Sequence, residues 1–164
     1  MLKKCFVVLL VLMGIHGGLA RADEGLKVND QAPNFIARTL EDELFRLNKM
    51  ESGPKVISFF EVTCLPCKKE LPEMAALEKR HKGTHFLLVH VGNQTAGDVK
   101  KFLAGVKAHP ARAVYTGPKI VEQFNFIGFP HTLLLDADNN VKLVLSGYTE
   151  NNMSLLEAAI NKVE

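Results

Sequence analysis

The chain is poor in cysteine, with three in 164 residues, and it contains no tryptophan. So few cysteines exclude a small scaffold stapled by several disulfides. They also argue against a structural zinc site, the rival reading of a Cys-x-x-Cys. Cys64 and Cys67 have no second cysteine pair, and His81, His85, His90, His109 and His131 are scattered rather than set at ligand spacing. No charge of either sign dominates, since 20 basic residues face 18 acidic ones. A nucleic acid or an anionic membrane surface is therefore not an expected partner. No segment is of low complexity and no repeat is present, which argues against disorder and against a solenoid.

Long apolar runs are also missing. Cys5 to Ile15 is the only candidate, and it is short of the roughly 20 residues that a spanning helix needs. It follows Lys3 and Lys4 and leads through Gly17, Gly18 and Leu19 to Ala20-Arg21-Ala22, a small-x-small cleavage pattern. Residues 1–22 therefore read as a secretory signal peptide, with an uncleaved membrane anchor as the alternative. Cys5 sits at the basic end and does not resemble a lipoprotein acylation site. Removing residues 1–22 takes away Lys3, Lys4 and Arg21 and no acid, leaving 17 basic and 18 acidic residues, a net charge of −1. Residues 23–164 show no linker and are expected to form one domain, in the periplasm or an equivalent exported compartment.

The order of elements favours an α/β domain. Phe35–Arg38 and Leu44–Leu47 are expected to pair as a hairpin. Lys55–Phe60 reads as a strand buried on both faces. A helix is expected from about Cys64 to Arg80, kinked at Pro72 and stopped near Gly83. His85–Val91 is a strand, Asp98–Ala108 a helix and Ala113–Tyr115 a short strand. Pro118–Phe124 is a short helix. Thr132–Leu135 and Val141–Leu145 form a hairpin across an Asp/Asn-rich turn. Met153, Leu155, Leu156, Ala159, Ile160 and Val163 mark a closing amphipathic helix. This order predicts a central mixed sheet with helices on both faces.

Chemistry concentrates where the buried strand meets the first helix, at Cys64-Leu65-Pro66-Cys67. A disulfide across two residues closes almost no loop, so it is a poor staple and a better reagent. A cysteine opening a helix meets free backbone N–H groups and the positive end of the dipole, which stabilise the attacking thiolate. Cys64 is therefore expected to be the nucleophile. Cys67, one turn further in, would resolve the mixed disulfide. This chemistry calls for no bound cofactor.

These segments resemble the thioredoxin superfamily, and within it the exported TlpA/ResA-like branch. Gln31-Ala32-Pro33-Asn34-Phe35 looks like that branch's opening, and Cys64–Cys67 with Lys68, Glu70 and Pro72 like its active-site helix. Gly128-Phe129-Pro130-His131-Thr132 looks like its cis-proline loop. Leu134-Leu135-Asp136 with Asn139, Asn140 and Val141 looks like its closing hairpin, and residues 98–115 like its helix–strand insert. The resemblance implies a thioredoxin-like fold and exchange with protein thiols and disulfides. It also implies a cis Pro130 beside the cysteines, which frees the Phe129 backbone to pair with an extended substrate. It tilts the direction towards reduction, as in cytochrome c maturation or metallochaperone upkeep, with electrons from a membrane donor.

Two positions depart from the family. Thr63 stands where tryptophan is usual, and Ser58 stands where thioredoxins bury an acid. Glu61 is the expected substitute proton acceptor, unless it simply faces solvent. His131 reads as a surface histidine, or else as a neighbour of the sulfurs. In that second case Cys64, Cys67 and His131 could hold Cu(I), and the protein would be a metallochaperone. The wider cysteine spacing typical of copper carriers on this fold counts against it. Peroxide reduction is weaker, since Glu61 stands where peroxiredoxins carry threonine. N-terminal sequencing of the exported protein is expected to begin at Asp23. A soluble cytoplasmic product that keeps Met1 would contradict the export reading.

Overall fold

The computed structural model describes residues 25–164, so the signal peptide expected at residues 1–22 lies outside the described residues. The strands are β1 (Ile36–Thr39), β2 (Leu44–Arg46), β3 (Lys55–Phe60), β4 (His85–Val91), β5 (Ala113–Thr116), β6 (His131–Leu135) and β7 (Val141–Ser146). The helices are α1 (Cys67–Arg80), α2 (Ala96–Gly105), α3 (Lys119–Phe124) and α4 (Glu150–Val163). Among the described residues the strands form one sheet in the order β2-β1-β5-β4-β3-β6-β7. β3, β4 and β5 run parallel, and the remaining pairs are antiparallel. This is the expected mixed sheet, including the hairpin and the α2–β5 insert.

β3 lies at the centre of the site's support. All six of its residues are buried, and its side chains alternate between the two faces. Ile57 and Phe59 enter a core shared with Phe35, Ile120 and Phe124. Val56 and Phe60 enter a second core built with α1, α2 and α4. Phe59 anchors an aromatic cluster, its ring centre 4.9 Å from Phe124, 5.1 Å from Phe126 and 6.3 Å from Phe35.

Helix boundaries differ from the sequence reading for local reasons. α1 starts at Cys67, not Cys64, with Pro66 at its N-cap. The ring of Pro66 disfavours helical geometry at Leu65, which stays in a turn with Cys64 outside the helix. α1 then continues past Pro72. α2 starts two residues earlier than expected because Thr95 and Asp98 form a reciprocal capping box. A short 3₁₀ turn at Leu47–Lys49 was not anticipated. Leu155, expected on the buried stripe of α4, is exposed, while Met153, Leu156 and Ile160 carry that stripe.

The segment before β1 is tied to the far edge of the sheet. The Asn29 and Ala32 amides donate to the carbonyls of Val141 and Asn139, and the Val141 amide donates to Asp30. Replacing Phe59 with alanine should cost about 3–5 kcal/mol, because the four-ring cluster cannot collapse into the space. Urea unfolding measures this, and a loss below about 1 kcal/mol would show that β3 does not hold the two cores together.

Candidate active site: the Cys64–Cys67 pair and the acid beneath it

β3 ends at Phe60 and hands the chain to a tight turn. The Cys64 amide donates to the Glu61 carbonyl at 3.1 Å, and α1 begins three residues later. Cys64 and Cys67 are joined as a disulfide. The Cys67 amide points at Cys64 Sγ, 3.1 Å away. The first helical N–H thus serves the outer sulfur although Cys64 itself lies outside the helix. That geometry favours negative charge on Cys64 once the pair is reduced. Cys67 is completely buried, whereas Cys64 is half-buried beside the exposed Leu65.

The acid beneath the pair is Glu70. α1 buries Cys67, Glu70, Leu71 and Met74, the i, i+3, i+4, i+7 stripe of an amphipathic helix, with a carboxyl set in the apolar face. Glu70 is only 2% exposed. Its Oε2 accepts a hydrogen bond from Ser58 Oγ at 2.9 Å, and its Oε1 accepts one from Thr132 Oγ1 at 3.0 Å. Ser58 and Thr132 are cross-strand partners in the β3–β6 ladder, so two neighbouring hydroxyls face one carboxyl. Burial pushes the Glu70 carboxyl up to about 7, against the pull of both hydroxyls and with a further push from Glu73.

Ser58 is not simply a missing acid but one of the two donors that hold an acid supplied by the helix. Glu61 lies in the turn outside the core, and its Oε2 accepts from Thr63 Oγ1 at 2.7 Å. The signal was present in the sequence as three polar residues, Ser58, Glu70 and Thr132, interrupting positions that were otherwise apolar.

His131 is buried, not a surface residue. Its ring stacks on Phe126 at 4.6 Å and lies 6.3 Å from Phe59. Nδ1 is 3.3 Å from Ser146 Oγ, and burial draws the imidazole down to about 4. His131 therefore faces the Phe59 side of the sheet, whereas Cys67 belongs to the α1 side. The three residues considered for Cu(I) are not brought together. Among the described residues no group of three or more His, Cys, Asp or Glu side chains could hold a metal ion.

The Phe129–Pro130 peptide bond is cis. One step past the last β3–β6 pair, Phe59 with His131, the same register brings Pro130 opposite Phe60, at the end of the sheet where the cysteines lie. Gly147, at φ +75°, donates its amide to the Pro130 carbonyl at 2.8 Å. A side chain would be strained in that left-handed conformation. Ile127 is fully exposed on the same loop.

A mixed sheet carrying a Cys-x-x-Cys disulfide at the head of a helix is the architecture of a thioredoxin-fold thiol–disulfide oxidoreductase. The chain belongs to the AhpC/TSA family, whose profile matches residues 28–158. It is 26% identical over 163 residues to the thiol-disulfide oxidoreductase ResA of Bacillus thuringiensis subsp. konkukian, covering 96% of this chain and 93% of that protein. It is also similar in structure to the thioredoxin domain of a thiol-disulfide oxidoreductase from Bacteroides vulgatus. There the TM-score is 0.71 at 20% identity, over 85% of this chain and 99% of that one. A thiol:disulfide interchange protein of the thioredoxin family from Chlorobium tepidum gives a TM-score of 0.68 at 21% identity, over 84% and 97% of the two chains.

Glu70 makes stability depend on pH in a defined direction. Its folded-state proton affinity lies above the unfolded value, so the folded state holds the extra proton between about 4.5 and 7. Its contribution to stability is complete below about 4.5, is lost as the pH rises through about 7, and is constant above that. Urea unfolding of oxidised wild type and Glu70→Gln across this window should show the wild type losing roughly 3 kcal/mol relative to the variant. A difference that grows in the wild type's favour as pH rises would contradict the burial argument.

Proposed function

We propose that the protein is an exported dithiol reductant of protein disulfides, with Cys64 as nucleophile, Cys67 as resolving thiol and Glu70 as the proton acceptor for Cys67. The observation that carries this reading is the buried carboxyl one helical turn behind a disulfide whose outer sulfur faces a backbone N–H. The role considered for Glu61 passes to Glu70.

The Cys64 thiolate attacks a partner disulfide, forming a Cys64–partner bond and expelling one partner thiolate, which takes a proton from solvent. The Cys67 thiol gives its proton to the Glu70 carboxylate and attacks Cys64 Sγ. The Cys64–Cys67 disulfide forms and the second partner thiolate leaves. Two electrons have passed to the partner. A membrane electron donor would return them and regenerate the dithiol. A base near pH 7 suits this task, because its two protonation states are then about equally populated at neutral pH.

The loop around Phe129 and Pro130 would hold the partner's extended segment, as the resemblance to TlpA/ResA-like proteins implies. Cysteines of apocytochromes awaiting haem, or of metallochaperones, are the substrates that resemblance suggests. The name of the ResA relative agrees with the reaction class.

Cys67→Ser should accumulate mixed disulfides through Cys64, since attack is intact and release is lost. Cys64→Ser should trap little. Mass spectrometry of trapped complexes decides the assignment, and partner attached to Cys67 would reverse it. A measured potential more oxidising than the glutathione pool would overturn the reductive direction.

A further inference from the structure

Each oxygen of Glu70 accepts one hydroxyl hydrogen bond, from Ser58 and from Thr132, which leaves lone pairs free to take a proton. The next outward position on the same helix is Glu73, three residues on and therefore a neighbour on the helix surface. Glu73 is half-buried. Its Oε1 accepts a hydrogen bond from the hydroxyl of Tyr148. Tyr148 follows Gly147, whose left-handed backbone turns the chain from β7 back over α1. Its ring packs on the same core that holds Cys67 and Leu71. Accepting that bond, Glu73 pushes the Tyr148 phenol up to about 12, with Glu150 and Glu70 adding to the effect.

The groups facing Glu70 can be named from each element. β3 supplies Ser58, β6 supplies Thr132, α1 supplies Glu73, and the turn before α4 supplies Tyr148. Glu150, in the first turn of α4, acts on Tyr148. No lysine or arginine among the described residues contributes to the Glu70 balance. Glu73 is the one charged neighbour that does, and the phenol fixes where that charge sits. A carboxylate left to swing into solvent would be screened.

We propose that Glu73, held by the Tyr148 hydroxyl, is a positioning residue for thiol–disulfide exchange: its fixed negative charge strengthens Glu70 as the base that deprotonates Cys67. The inference rests on the assignment of Glu70 made above. An unperturbed thiol releases its proton near 8.5 and an unperturbed glutamate near 4.3, a mismatch that makes direct transfer unfavourable. Raising the proton affinity of Glu70 narrows that gap. The Tyr148–Glu73 bond also ties the β7–α4 turn to α1, but a purely structural tie would leave the pH profile of the chemistry unmoved.

The probe is 5,5′-dithiobis(2-nitrobenzoate) added to the reduced full-length protein. The first nitrothiobenzoate released reports attack by Cys64, and the second reports attack by Cys67 on the mixed disulfide. The rate of the second release is followed against pH. Wild type should show an inflection near neutrality that Glu70→Gln removes. Glu73→Gln should move that inflection down by about half a unit to one unit, a threefold to tenfold weaker base. Tyr148→Phe should move it the same way. The double variant should coincide with Glu73→Gln alone, because the phenol acts only through the carboxylate. An inflection that stays in place in Glu73→Gln, while Glu70→Gln still removes it, overturns the inference and spares the reading of Glu70. An inflection that survives Glu70→Gln overturns both. A Tyr148→Phe protein that behaves as wild type, or a double variant shifted further than Glu73→Gln, refutes the coupling.

Discussion

A carboxyl group buried beneath the first turn of a helix is the constraint around which this site is built. Removing the Glu70 carboxylate from water costs several kcal/mol unless other groups replace the lost solvation. Two hydroxyls do so in part, and hydrogen bonds to a charged acceptor contribute about 1.5–3 kcal/mol each. The balance leaves the group holding its proton to about 7. Full compensation would have returned it to the ordinary carboxylate range, and none would have left it neutral at every physiological pH. The intermediate outcome is the one that lets a carboxyl both take and give a proton under working conditions.

That balance depends on strand register. Ser58 and Thr132 meet because β3 and β6 are antiparallel and paired at those residues. A slip of one residue would turn Ile57 or Phe59 towards Glu70 and strand the carboxyl among apolar groups. The aromatic cluster on the opposite face resists such a slip, since Phe59 is locked among Phe35, Phe124 and Phe126. The same alternation accounts for His131, which sits beside Thr132 in sequence but on the other side of the sheet. Its neutral ring fills space against Phe126, on the face of the sheet opposite the core that holds Cys67.

This distinction also separates what could be read from the sequence from what could not. The Cys-x-x-Cys, the strand before it, the proline loop and the order of elements are local patterns, and the structure has each of them. The acid was not legible in the same way. Reading backwards from Cys64 finds Ser58 at the place where an acid was sought, and turns to Glu61 as the nearest carboxyl in sequence. The structure buries another carboxyl, Glu70, already part of the active-site helix pattern, and its link to Ser58 and Thr132 emerges only when β3, β6 and α1 meet on one face. The start of α1 failed for a smaller reason. The sequence pattern places it at about the first cysteine, whereas the backbone restriction before Pro66 delays it to the second.

The delayed start sharpens the division of labour between the sulfurs. Were Cys64 the first helical residue, its amide would belong to the helix end, and Cys67 would sit a full turn inside with its N–H directed at the chain before it. With the helix beginning at Cys67, the leading N–H is that of Cys67 itself, and it points at Cys64 Sγ. Each cysteine then serves the other. Cys67 contributes the backbone donor that favours charge on Cys64, and its own side chain is withdrawn from solvent on the buried stripe of α1 that also carries Glu70. A thiolate on Cys67 would be poorly solvated in that apolar core, so its proton is better held until a mixed disulfide stands ready to be attacked. The proposed order of events, outer sulfur first and inner sulfur second, thus rests on where one proline lets a helix begin and on which side of it an acid is buried.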